Sequence, residues 1–321
     1  MAAPDTTTTA LVDQMEAHRR ALTGYCYRML GSGSEAEDAV QETMVRAWKA
    51  ADRLQEHAAL RSWLHRIATN VCFDMMQTPQ RRALPMDLGP SSAADGALGA
   101  ALGEQAWVQP IAEARVVELH ADPADVAEVR ETLRLAFVAA LQHLPPRQRA
   151  VLVLCEVLRW QASEAAALLD TSVASVNSAL QRARATLAAL DLEPGGQPVV
   201  PEEQEALLER YVDTFERYDI DALVALLRED ATFSMPPYPL WLEGPDAAAA
   251  FMRGTGAKCE GSRLLPTRAS GSPAAGIYNQ DPDGGYAPWA LVVLDVRDEA
   301  IVGLHHFIGT DLTAFGLPAR L

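Results

Sequence analysis

Residues 144–187 read LPPRQRAVLVLCEVLRWQASEAAALLDTSVASVNSALQRARATL. Pro145 and Pro146 suit a helix start, where a missing N–H costs little. Val151, Leu152, Leu154, Cys155 and Leu158 then give that helix one apolar face. Ser163 is the expected N-cap of a second, short helix through Leu169. Asp170, Thr171 and Ser172 make a turn, and a last helix runs from about Val173 to Leu187. On that helix Val173, Val176, Leu180, Ala183 and Leu187 share the core side. Ser175, Asn177, Ser178, Gln181, Arg182 and Arg184 lie outward or on the flanks. Small residues at the helix start allow close approach, and Gln and Arg further on can bond base edges or phosphates, as a major-groove recognition helix requires. The competing reading is an ordinary helical hairpin with a solvated face.

Toward the N-terminus, Leu11 to Leu30 reads as one amphipathic helix, stopped by Gly31-Ser32-Gly33. Ser34 is the expected cap of the next, SEAEDAVQETMVRAWKA, which should bury Ala36, Val40, Met44, Ala47 and Trp48. Its polar side carries Asp38, Gln41, Glu42 and Arg46. A third helix, LRSWLHRIATNVCFDMM, turns Trp63, Leu64, Ile67, Val71 and Met75 inward. Arg66 and Asn70 are polar positions on it, and His65 reads as a surface histidine. Pro79 breaks the pattern, between Gln77 and the basic pair Arg81-Arg82.

Residues 86–126 are Gly/Ala/Ser-rich without a sustained period and read as a tether, punctuated by Trp107 and Pro110. DLEPGGQPVVP, 191–201, is a boundary. Beyond it come an amphipathic helix from Glu202 to Tyr218 and a second, DIDALVALLRED, capped by Asp219. β-leaning segments follow, with one short helix (GPDAAAAFMRG) and a hairpin turn at Asp283-Gly284-Gly285. Two helices ahead of a curved antiparallel sheet make an α+β cone.

Residues 144–184 resemble the fourth conserved region of bacterial extracytoplasmic-function (ECF) sigma factors. That family usually carries Gly where Asp170 stands and often a basic residue where Asn177 stands. The 34–82 stretch resembles the second conserved region, through its acidic helix and WL-x-R-I-A-x-N-x-x-x-D followed by a basic pair. YVDTFERYDIDALVALLREDATFSMPP resembles the SnoaL-like branch of the nuclear-transport-factor-two-like superfamily. A subset of ECF sigma factors, close to the SigG-like and SigJ-like groups, carries such a tail.

The resemblance implies a multidomain chain: two all-α helical sigma domains, the second a helix-turn-helix, followed by an α+β cone. Their expected extents are 11–85, 86–126 for the acidic linker, 127–192, and 200–321. It implies that Asp38, Gln41, Glu42 and Arg46 contact core RNA polymerase. Arg66, Asn70, Gln77, Arg81 and Arg82 would hold −10 promoter DNA, with the loop Gln77–Gln80 taking an unstacked base. Ser175, Asn177, Ser178, Gln181, Arg182 and Arg184 would read the −35 duplex. The linker would occupy the polymerase's basic channel.

Charge fits a reader that depends on a larger partner. The net charge of −16 resides in residues 86–130 (−6) and 196–321 (−10), while 1–85 and 131–195 are neutral. Free, non-specific DNA binding is disfavoured by that balance. Cys26, Cys72, Cys155 and Cys259 show no metal-ligand spacing and read as reduced thiols, so no metal or cofactor is expected. The opening MAAPDTTTTA is polar and no apolar run is membrane-length, which predicts a cytoplasmic protein without a membrane span.

Relatives of the cone use a pocket carboxylate or histidine as general base, and Asp230, Tyr238, Asp283, His305 and His306 are the candidates here. Tyr238, Trp241, Trp289, His305 and Phe307 are the expected lining of a tail pocket that would take a small-molecule ligand. His305 and His306 are adjacent on a strand, so only one can face inward. No carboxylate pair or base-plus-orienter is visible, so the tail is expected to regulate rather than catalyse. Two alternatives are a SnoaL-like isomerase or cyclase with a DNA-binding appendage, and a helix-turn-helix regulator that works without polymerase.

Overall fold

A computed structural model describes residues 6–51, 59–77, 81–96, 98–118, 122–190 and 201–321. The chain divides into two units. The first takes the described residues within 1–81, 114–133 and 137–192, and the second those within 82–113, 134–136 and 193–321.

In the first unit, α1 (Thr6–Glu16) and α2 (Arg19–Leu30) replace the single expected helix. The backbone turns at Ala17-His18, where His18 N–H bonds the Met15 carbonyl three residues back. Gly31, at φ 74°, closes α2 with its N–H on the Tyr27 carbonyl. That left-handed stop sets Ser32 in extended backbone, so Ser32 rather than Ser34 caps α3 (Gly33–Lys49), accepting from Glu35 N–H. α4 (Leu60–Met75) completes the bundle. Leu22, Tyr25, Cys26, Met29, Ala36, Val40, Leu64, Ala68 and Cys72 form its core, all at most 1% exposed.

α5 (Pro123–Glu131), capped by Asp122, and α6 (Leu135–Leu141) lead to α7 (Pro146–Leu152). A widened π turn, Val153–Val157, continues α7. α8 (Ala162–Leu168) begins one residue before Ser163, with Gln161 as its N-cap residue and Glu164 bonding the Gln161 N–H at 2.7 Å. Asp170 has φ 51°, a left-handed turn conformation that Asp tolerates and Gly adopts without cost. That is the physical reason a helix-turn-helix favours Gly there. α9 (Val173–Ala188) is capped by Ser172 through Ser175 N–H at 3.1 Å.

The buried stripe of α9 is Val176, Ala179 and Ala183, and Val173 is 44% exposed. As the first helical residue, Val173 sits beyond the edge of the hairpin it was expected to fill. α8 and α7 both pack on α9, α4 packs on α8, and α2 on α7.

In the second unit, α10 (Pro201–Glu216) and α11 (Ile220–Val224) precede β1 (Leu227–Ser234) and β2 (Trp241–Glu243). Asp219 caps α11 as expected, but the helix stops at Val224 and Leu227 already belongs to a strand. α12 (Pro245–Arg253) is followed by β3 (Arg263–Ala269), β4 (Ser272–Gln280), β5 (Tyr286–Arg297) and β6 (Ala300–Ile308). The described strands make a six-stranded sheet in the order β2-β1-β6-β5-β4-β3, antiparallel except for β1 beside β6. Gly284 and Gly285, both at positive φ, make the β4–β5 turn.

Residues 82–113 are not a free tether in this unit. They lie along the cone: Ser92 N–H bonds Trp241 O (2.7 Å), Leu102 N–H bonds Pro237 O (2.9 Å), and Ser270 N–H bonds Ile111 O (2.8 Å). Glu113 pairs with Arg268 at 3.0 Å, and both are largely buried. Trp107 is 2% exposed, so it is an anchor. Arg134 is buried as well, bonding Val296 O and pairing with Asp295 at 3.2 Å.

Candidate interfaces and the C-terminal cavity

On α9, Ser175, Asn177, Ser178, Gln181, Arg182 and Arg184 are all exposed. Arg182 donates to Ser178 Oγ at 2.7 Å, which presents both on one ridge. Arg184 pairs with Glu156 and so is drawn toward the π turn.

On α3, Asp38, Gln41 and Glu42 are exposed and Arg46 is half-buried. Arg46 bridges Glu42 (2.7 Å) and Asp74 (3.0 Å), fixing α3 to α4 across an exposed seam. Trp48, expected in the core, is 57% exposed. Its place in the helical period explains this: Asp38, Gln41, Val45 and Trp48 follow one face, whereas Ala36, Val40, Met44 and Ala47 follow the buried one. Hydrophobicity alone assigns this indole to the core, but it stands exposed beside the polar stripe.

The three arginines among the −10 candidates are engaged within the protein. Arg66 Nε donates to Leu168 O at 3.1 Å and its Nη2 to Ala167 O. Asn70 is exposed in a recess shared with Arg66, Phe73, Arg147 and Asp170. Arg81 bonds the His143 ring at 3.1 Å. Arg82 is buried, donating to Glu104 O and Trp107 O at 2.9 Å each, so it is closed to a phosphate in this arrangement. Gln77 is exposed, and Thr78–Gln80 lie outside the described residues.

His65 and Arg149 are among the buried polar side chains that escaped the sequence reading. His65 is 1% exposed, its ring 5.5 Å from Tyr25 and 5.1 Å from Trp160, with Nδ1 on Arg61 O at 2.8 Å. Burial first, then the nearby Arg61 and His18 charges, push its pKa down to about 4. Arg149 donates to Gln142 Oε1 (2.6 Å), Leu144 O (3.1 Å) and Met29 O, and burial lowers its pKa to about 10. Its spacing in RQRAVL looks like an exposed helical charge, because only the fold brings the end of α2 to it.

The cone encloses a cavity of about 210 Å³. Tyr238 and Trp289 line it as expected, but the histidine on its wall is His306 and the next residue is Ile308. His305 instead bonds Ser234 Oγ at 2.9 Å, and Phe307 shares its side of β6. Both sides of β6 are buried, so alternation of polarity could not choose between the histidines. Trp241 turns its indole N–H to Gly89 O (2.9 Å). Asp230 is exposed and paired with Arg228, and Asp283 lies on the exposed β4–β5 turn.

Residues 15–82 match the sigma-70 region 2 family, 134–187 the sigma-70 region 4 family, and 208–304 the SnoaL-like domain. Over 314 residues the chain is 43% identical to the ECF RNA polymerase sigma factor SigG of Mycobacterium tuberculosis, covering 95% of this chain and 83% of that one. This chain is an ECF RNA polymerase sigma factor. This sigma factor is also 26% identical to SigJ of M. tuberculosis over 94% of its length and 92% of SigJ's. The crystal structure of M. tuberculosis SigJ shares its fold, with a TM-score of 0.61, 23% identity, and coverage of 96% and 100% of the two chains. As a sigma factor it binds core RNA polymerase and promoter DNA and acts in transcription initiation. Among the described residues, no helix is long and apolar enough to cross a membrane and no group of three His, Cys, Asp or Glu side chains is placed to hold a metal.

Proposed function

We propose that this sigma factor divides its work by surface, and that its C-terminal domain regulates it without catalysing a reaction. The carrying observation is that the outward residues of α9 form one exposed face with no apolar partner among them. Ser175, Asn177 and Ser178 permit close approach, and Gln181, Arg182 and Arg184 read the −35 duplex. Asp38, Gln41, Glu42 and Arg46, extended by Trp48, bind core polymerase. Arg66, Asn70, Gln77 and Arg81 hold the −10 strand once Arg66 and Arg81 are released from their internal partners, and Arg82 joins them when 82–113 leaves the cone. Regulation acts through that linker: what the cone grips cannot at the same time lie in the polymerase channel. A small molecule in the cone's cavity is the regulating ligand, and the protein works in the cytoplasm.

The test is transcription with purified core polymerase on genomic fragments, comparing the full chain with a version ending at Gly196. Specific start sites, at levels that differ between the two forms, are expected. Equal activity at equal concentration would remove the regulatory role. Absence of start sites with both would overturn the division of surfaces.

A further inference from the structure

The recess between α4, the start of α7 and the α8–α9 turn has a volume of about 440 Å³. Small-molecule sites run roughly from 300 to 1,000 Å³. Arg66, Asn70 and Phe73 border it from α4, Arg147 from α7, and Asp170 from the turn. Phe73 is half-buried on the wall, and the four polar side chains are exposed to the recess mouth.

The polar groups are unusually idle. The side chains of Asn70, Arg147 and Asp170 have no hydrogen-bond or ion-pair partner among the described residues. Arg66 spends Nε and Nη2 on the carbonyls of Leu168 and Ala167, which leaves Nη1 without a partner. Arg147 and Asp170 thus border one recess without pairing with each other.

A cation and a carboxylate left apart in this way suit a ligand that carries an anion at one end and paired donors at the other. A guanidinium fork matches phosphate oxygens. A half-buried phenyl ring offers a stacking surface for a flat base. A carboxylate accepts and cannot donate, so it matches two neighbouring N–H groups. Guanine presents such a pair, N1–H and the N2 amino group, whereas adenine presents an acceptor at N1. Bare phosphate is disfavoured, because Asp170 repels it.

We infer that this recess binds a guanine nucleotide, with Arg66 and Arg147 on the phosphate, Phe73 against the base and Asp170 on its N1–H and N2–H groups. Such a ligand bridges α4 to α7 and the α8–α9 turn, and so favours the arrangement in which Arg66 stays on α8. Slower capture of the −10 strand is the consequence. That consequence rests on reading Arg66 and Asn70 as −10 contacts; the binding site does not.

The experiment uses the full chain, with calorimetry of GMP, IMP (which lacks the N2 amino group), AMP and inorganic phosphate. GMP should bind about ten-fold more tightly than IMP, the worth of one hydrogen bond to a charged group, and more tightly still than AMP or phosphate. Asp170→Asn should exchange the preference for GMP for one for XMP, whose O2 accepts where the guanine amino group donates. Asn tolerates the left-handed backbone at that position, φ 51°. If the variant nevertheless fails to fold, the GMP-to-IMP ratio of the wild type decides. Arg147→Met should weaken GMP about ten-fold and leave guanosine unchanged.

Equal affinity for GMP and AMP, or binding of neither, overturns the site. Phosphate binding as tight as GMP, or a folded Asp170→Asn without the exchange to XMP, overturns the base assignment. Open-complex formation by the holoenzyme on a promoter fragment, without other nucleotides, is then followed with saturating GMP or AMP. GMP should slow it several-fold and AMP should not. GMP binding with unchanged opening overturns the coupling to the −10 strand. If Asn70→Ala also opens the promoter at the wild-type rate, the −10 reading fails while the binding site stands.

Discussion

The guanidinium of Arg66 lies on the carbonyl of Leu168, Nε to O 3.1 Å. A cation at the position expected to hold −10 phosphates is thus spent on the last turn of α8, in the helix-turn-helix expected to read −35. One side chain cannot do both. Arg66→Ala should loosen α8 on α4 by about 1 kcal/mol, the usual net value of such hydrogen bonds. Amide exchange at Leu169 and Thr171 in the free protein should rise several-fold, while promoter opening with core polymerase should fall. Unchanged exchange would mean the contact holds nothing.

Arg149 joins three carbonyls and the Gln142 amide within a closed interior. Arg149→Met fills similar space but strands those acceptors. The expected loss is about 3–5 kcal/mol, as for breaking a buried charged network. Denaturant unfolding followed by helical signal checks it, and a loss under 1 kcal/mol would contradict the burial.

His65 sets a pH limit. Its folded pKa, about 4, is below its ordinary 6.5, so the unfolded chain binds the proton more tightly. Stability from the neutral ring is complete above pH 6.5 and is lost as pH falls toward 4. At pH 5 the cost is about 2 kcal/mol relative to pH 7. His306, held down at about 3 by burial, acts in the same direction from pH 6.5 downward and continues to pH 3. Thermal midpoints of wild type and His65→Phe across pH 5–7 test this: the variant, which still stacks between Tyr25 and Trp160, should show the flatter curve.

Arg268 fastens the end of the linker through Glu113 and also bonds Gln204 at 3.1 Å. Arg268→Met should release that attachment at a cost of about 3 kcal/mol. Ile111 N–H, bonded to Ser270 Oγ at 3.1 Å, should lose protection first. If its exchange is unaltered, the segment is held by Trp107 and the backbone bonds alone.

The three folded regions, their order and the helix-turn-helix were legible because each is coded locally. Apolar spacing, capping residues and Pro/Gly punctuation act over a few residues, and LPPRQRAVL through QRAR carries all of them. The outward face of α9 followed from helical period alone. Where the period was ambiguous the reading slipped: Trp48 and Val173 are apolar yet exposed, because Val173 precedes the buried stripe of its helix and Trp48 lies off the buried stripe near the end of its own.

The sequence by itself determined which segments become helix or strand and which faces of the sigma helices remain polar, since these depend on near neighbours and on water. Only the tertiary structure decided that Arg66 and Arg149 spend their charge on distant carbonyls, that residues 82–113 lie on the cone, and that His306 rather than His305 faces the cavity. Those outcomes depend on groups far apart in sequence meeting, as Arg66 meets Leu168 and Arg149 meets Met29. Where such a meeting is buried, an unpaired donor or charge is costly, and the partner that satisfies it is chosen by packing.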